Sequence, residues 1–216
     1  MTGLRRAAFL SLCGAAMALP SPVVRADSEV FDNGADLQLG TAIGTINQYH
    51  AVSDDFTLAS GAILTRVVFG EDSLLFGAVV PPVPLNVDWS IGSAPFSASV
   101  AAGTAGLSTS GGTSVGGTTD LWSYSSSFAL PSLALGPGTY WLTLGNGTDS
   151  GLGNTYWSAS NAKAGDAELL SKPPAGSGTS ALDYEMAFQL YAAPEPGTLG
   201  LVGLASAALA LRRLRR

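Results

Sequence analysis

Few residues of this 216-residue chain are of the types that carry out chemistry. One histidine, His50, stands in "NQYHAVSDDF" with Asp54 and Asp55 close behind it. A Ser–His–Asp hydrolase would have to use this imidazole as its base. No Gly-x-Ser-x-Gly turn accompanies it, so His50 reads as a loop or surface residue at the polar entry to a strand. Two adjacent acid pairs, Asp54–Asp55 and Glu71–Asp72, supply carboxylates of the kind glycosidases use. Successive side chains of a strand point to opposite faces, so neither pair converges on one bond by itself. Both pairs are read as solvated surface acids, and no catalytic residue is assigned.

Two glycine-turned runs rich in oxygen ligands, "DNGAD" (Asp32 to Asp36) and "GNGTDSGLGN" (Gly145 to Asn154), hold the hard donors that calcium takes. Neither has the spacing of a twelve-residue EF-hand loop, and the same composition makes ordinary turns. No metal or other cofactor is therefore assigned, with one structural calcium as the alternative. The single cysteine, Cys13, lies in a segment expected to be removed, so the mature chain has no disulfide, thiol nucleophile or zinc-thiolate site. Trp89, Trp122, Trp141 and Trp157 all fall in expected strands, three of them in apolar patterns that read as core. An exposed Trp141 or Tyr156 would be the residue to stack on a sugar ring, which makes a carbohydrate-binding module the alternative reading of the body.

Strands must position these residues, because period-two alternation dominates between Asp27 and Ala193. One face is shared by Leu85, Val87, Trp89 and Ile91, and others by Tyr140, Leu142 and Leu144, by Tyr184, Met186, Phe188 and Leu190, by Trp122, Tyr124 and Phe128, by Ile63, Val67 and Phe69, and by Phe56 and Leu58. This is the pattern of half-buried antiparallel strands. The expected fold is all-β: one antiparallel, jelly-roll-like sandwich over residues 27–193. The low-complexity run Ser97 to Asp120 is expected to be a long loop or a mobile hairpin, with a pair of poorly patterned strands as the alternative.

The formal net charge is -6, and charged residues make up only 12%. Of the 10 basic residues, Arg5, Arg6 and Arg25 lie near the start and Arg212, Arg213, Arg215 and Arg216 close the chain. The body between is acidic, which argues against nucleic acid and anionic lipid as its partners.

Each end reads as an address. Arg5 and Arg6, the apolar stretch Ala7 to Leu19, and small residues before a cut between Ala26 and Asp27 form a signal peptide over residues 1–26 that engages the general secretion machinery. At the other end Pro194-Glu195-Pro196 precedes Gly197 to Leu211, which carries no charge. As a helix that run would be about 22 Å long, against a hydrocarbon core of about 30 Å. Snorkelling arginines and some bilayer thinning close part of the gap. Arg212, Arg213, Arg215 and Arg216 hold that end in the cytoplasm and leave the body outside. The two prolines keep the motif extended, where a processing enzyme can grip it.

A Pro-Glu-Pro motif, an apolar stretch and a terminal arginine cluster, in that order, closely resemble the PEP-CTERM sorting domain of Gram-negative bacteria. The resemblance covers Ala193 to Arg216, and the sorting and anchor segment is expected at 194–216. It implies recognition of Pro194, Glu195 and Pro196 by exosortase, a membrane-embedded processing enzyme. It further implies a transient inner-membrane anchor and export to the outer surface, in association with extracellular polysaccharide or biofilm matrix. More loosely, "FDNG", "DDFTLASGAILTRVVF", "GTYWLTLGNG" and "YEMAFQLY" resemble the choice-of-anchor surface domains. That likeness implies a surface β-domain and no enzymatic activity.

Overall fold

The computed structural model describes residues 27–34, 44–74, 82–115, 120–151, 155–160, 165, 167–172 and 177–194. Among them there are strands and no helix: β1 (Ser28–Asp32), β2 (Gly44–Thr45), β3 (His50–Leu58), β4 (Ala62–Leu74), β5 (Pro84–Gly92), β6 (Ala101–Gly106), β7 (Ser108–Ser114), β8 (Leu121–Leu135), β9 (Gly138–Asp149), β10 (Thr155–Trp157), β11 (Glu168–Ser171), β12 (Gly178–Ala181) and β13 (Phe188–Ala192). The signal helix expected over 1–26 and the apolar segment 197–211 lie outside the described residues. No helix among the described residues is long and apolar enough to cross a membrane.

The strands form two antiparallel sheets. In one, β8 lies along the whole of β4 and carries β7 on its far side. The other edge of β4 is shared end to end: β13 pairs with Leu64 to Phe69, and β10 pairs with Glu71 to Ser73. Outside these lie β1 on β13 and β2 on β10. The second sheet runs β12-β11-β3-β9-β5-β6.

A single core joins the sheets. The first contributes Leu64, Val67, Phe69, Phe128, Trp157 and Phe188, and the second Val52, Phe56, Val87, Trp89, Leu142 and Leu144. Rings meet across the interface: Trp89 stacks on Phe128 with centroids 6.1 Å apart, and Phe56 meets Phe188 edge-on at 6.4 Å. Such offset and edge-on pairs are the favoured aromatic arrangements.

Alternation located the strands, but irregular registers moved individual side chains. Leu85 is 45% exposed while Val87 and Ile91 are fully buried. The pairing of β5 with β9 slips on either side of Asn86, and a one-residue slip turns a side chain to the other face. Likewise Leu64, not Ile63, enters the core beside Val67, because the register of β4 shifts between Leu64 and Arg66. Tyr184 lies outside β13 and is exposed, whereas Met186, Phe188 and Leu190 are buried as expected.

The low-complexity run is not a loop. Residues 101–106 form β6 on β5, and 108–114 form β7 on β8, so the chain crosses between sheets at Leu107. Two of its glycines, Gly103 and Gly112, lie under aromatic rings. A Cβ on Gly103 would stand 3.3 Å from the Trp89 ring, and one on Gly112 would stand 3.1 Å from Tyr124. Tyr124 and Trp89 supply across the strand the apolar cover that glycine lacks. Small residues therefore make good neighbours here while showing no period of their own.

Candidate functional site

The tail motif begins where the sheet ends. β13 runs between β1 and β4, and Ser28 of β1 pairs with Ala192 of β13. The strands are antiparallel, so Asp27 and Pro194 emerge at the same end of the same sheet. Asp27 accepts a hydrogen bond from Thr65 Oγ1 at 2.8 Å. The backbone N–H of Ala193 donates to the Ile63 carbonyl at 2.9 Å. The next residue, Pro194, has no N–H with which to continue the ladder, and its fixed φ directs the chain out of the strand. Pro194 therefore ends the backbone ladder that Ala193 still continues. Ala26, Glu195, Pro196, Arg212, Arg213, Arg215 and Arg216 lie outside the described residues.

His50 opens β3, and its Nδ1 lies 3.0 Å from Asn47 Oδ1. Asp54 is four residues further along the strand, about 13 Å away at strand rise. The two are therefore not a catalytic dyad.

The acid pairs differ from expectation. Asp54 shares the phase of Val52 and Phe56 and is fully buried, while Asp55 is half-buried. Its Oδ2 accepts the Met186 N–H at 2.7 Å and the Asn33 side-chain amide at 3.1 Å, and its Oδ1 accepts the Asp55 N–H at 2.9 Å. The Asn33 amide also donates to Glu185 Oε2 at 3.1 Å. Burial pushes the Asp54 carboxyl up to about 9; the Met186 N–H opposes the shift, while the Glu185 carboxyl adds to it. One oxygen each from Asp54, Asp55 and Glu185 lies within 4.8 Å of the others. Backbone and amide donors engage both Asp54 oxygens, so the group ties β3 to the approach to β13.

Glu71 and Asp72 are buried as well. Glu71 follows Val67 and Phe69 on the inward face of β4. Burial pushes its carboxyl up to about 8, and the carboxylates of Asp149 and Asp72 add to the shift. The Ser126 hydroxyl is close enough to favour the charged form but does not reach hydrogen-bond geometry with it. Burial also raises Tyr124, with contributions from Asp149 and Glu71. The reading of these acids as solvated is thus corrected for Asp54, Glu71 and Asp72. The usable signal was phase for Asp54 and Glu71, which occupy apolar positions of alternating strands; Asp72 lies on the other phase of β4.

Trp89 and Trp157 are buried, whereas Trp122, Trp141 and Tyr156 are half-buried. Trp122 was expected to lie in the core with Tyr124 and Phe128, but it is half-buried at the start of β8, between the buried Leu121 and Ser123. Trp122 and Trp141 lie on different sheets and form no shared stacking platform.

Against models of known families, the chain matches the PEP-CTERM protein-sorting motif over residues 192–216. No curated protein and no solved structure matches it. The match begins at the last residue of β13.

Proposed function

We propose that this is an exported, non-enzymatic surface or matrix protein, sorted by exosortase through its tail. The PEP-CTERM motif over residues 192–216 carries this reading. The chemistry of the tail supports it. Pro194 ends the backbone ladder, Glu195 resists entry into lipid, and Arg212, Arg213, Arg215 and Arg216 hold the far end in the cytoplasm. The domain before it is a jelly-roll-like sandwich of the surface type that the choice-of-anchor resemblance suggests. Its acidic surface suits a soluble component that gathers cations in an extracellular polysaccharide matrix. The final location is the outer surface of a Gram-negative cell, after a transient inner-membrane stage.

Replacing Pro194, Glu195 and Pro196 together by alanine in the full chain tests the reading. The expected result is loss of the surface pool and accumulation of an uncleaved form in the membrane fraction. Asp183→Ala, an exposed acid outside the motif, is expected to sort like the wild type. Unchanged sorting of the triple variant would overturn the proposal.

A further inference from the structure

We propose that Glu71, Asp149, Ser73 and Thr155 form a calcium-binding site inside one end of the two-sheet domain. The register brings these four residues to one place. Glu71 and Ser73 are both fully buried and share the inward face of β4 with Val67 and Phe69. Thr155 of β10 pairs with Ser73, so their side chains lie on the same face. Asp149 arrives from β9 of the opposite sheet, and its Oδ2 accepts a hydrogen bond from Ser73 Oγ at 3.3 Å.

Two independent observations point to a ligand. Both carboxylate oxygens of Glu71 are buried without a hydrogen-bond partner. Thr155 is also fully buried, and its Oγ1 has no partner. Buried polar groups are satisfied in nearly all folded proteins, and an orphan marks a missing ion or water. A proton on Glu71 would neutralise that carboxyl but leave the Thr155 hydroxyl unsatisfied, whereas a bound cation would engage both. No basic side chain among the described residues takes this place. The Arg66 guanidinium stacks over the Tyr191 ring at 4.0 Å, and Lys172 lines a separate cavity with Asp88 and Asn146.

The donors are two carboxylates and two hydroxyls, all hard oxygens. Calcium accepts six to eight such ligands in irregular geometry, with backbone carbonyls completing the shell. Asp149 belongs to the oxygen-rich run Gly145 to Asn154, which the sorting function does not use. Asp149 also accepts the Gly151 N–H on its other oxygen, at 2.9 Å. The group of Asp54, Asp55 and Glu185 is the weaker candidate, because it holds no buried oxygen without a partner, whereas the proposed site holds those of Glu71 and Thr155.

Thermal unfolding of the full chain, first in chelator and then in 10 mM calcium chloride, tests the proposal, with stoichiometry from equilibrium dialysis. Extracellular modules bind calcium with Kd of about 0.1–1 mM, so Tm is expected to rise by about 3 to 10 °C, with one ion bound per chain. Glu71→Gln is expected to fold in chelator and to lose the rise. Thr155→Val, which keeps the shape of the side chain, is expected to reduce it. A wild-type Tm and dialysis that do not respond to calcium would overturn the proposal. So would a calcium response retained in both variants, or one lost only in Glu185→Gln.

Discussion

Trp157→Ala is expected to destabilise the domain by about 3–5 kcal/mol, which is a large part of the total for a typical domain, about 5–15 kcal/mol. The indole is fully buried, meets Phe69 and Phe188 edge-on at 6.4 and 5.5 Å, and donates from Nε1 to the Ala187 carbonyl at 3.0 Å. Truncation would therefore leave a cavity and remove one of two donors to the Ala187 carbonyl, which keeps the Gly70 N–H at 3.1 Å. Guanidinium unfolding followed by far-UV circular dichroism measures the effect. The midpoint should fall with the slope unchanged, while Tyr156→Ala, at the half-buried neighbour, should move it much less. A midpoint unmoved by Trp157→Ala would mean that packing around β10 does not hold the first sheet to the core.

The second large effect concerns pH. In the folded chain, burial lets Asp54 keep its proton up to about pH 9; an ordinary aspartate, and hence the unfolded chain, releases it near 3.8. Between those values the folded state binds more protons than the unfolded one, so stability falls as pH rises. One such group contributes a slope of up to about 1.4 kcal/mol per pH unit. Wild type in chelator is therefore expected to lose stability steadily from pH 5 to pH 9. In Asp54→Asn the slope should be shallower by up to one proton. Glu71, raised for the same reason, remains in both proteins, so the difference between the slopes isolates Asp54. The variant amide oxygen still accepts the Met186 N–H and the Asn33 amide, but its NH2 group turns toward the Asp55 N–H, so its absolute stability at pH 5 should be lower. Equal slopes in the two proteins would contradict the assignment of a buried, protonated Asp54.

The strands were legible wherever a large apolar residue marked every second position, as in Tyr140 to Leu144 and Met186 to Leu190. Alternation alone does not fix phase through a bulge, which is why Leu85 and Ile63 were misplaced: the slips depend on partner strands distant in sequence. β6 and β7 were only the alternative to a loop or mobile hairpin, because their apolar cover comes from Trp89 and Tyr124 on neighbouring strands. Asp54, Glu71 and Asp72 were read by residue type, as surface acids, although their phase placed Asp54 and Glu71 among core positions. The meeting of Asp149 with Ser73 depends on how the two sheets stack and leaves no local trace. The tail was legible because its parts act in linear order along the chain and need no tertiary partner. The structure adds that Pro194 ends the backbone ladder, and that the mature N-terminus expected at Asp27 emerges beside it.

The most direct test of exosortase-dependent sorting is the intact mass of the protein recovered from a host that has exosortase and from the same host lacking it. The account predicts a chain beginning at Asp27 and ending between Pro194 and Gly197 only where the enzyme is present. A C-terminus at Arg216 in both hosts would contradict it and leave the tail as a simple membrane anchor.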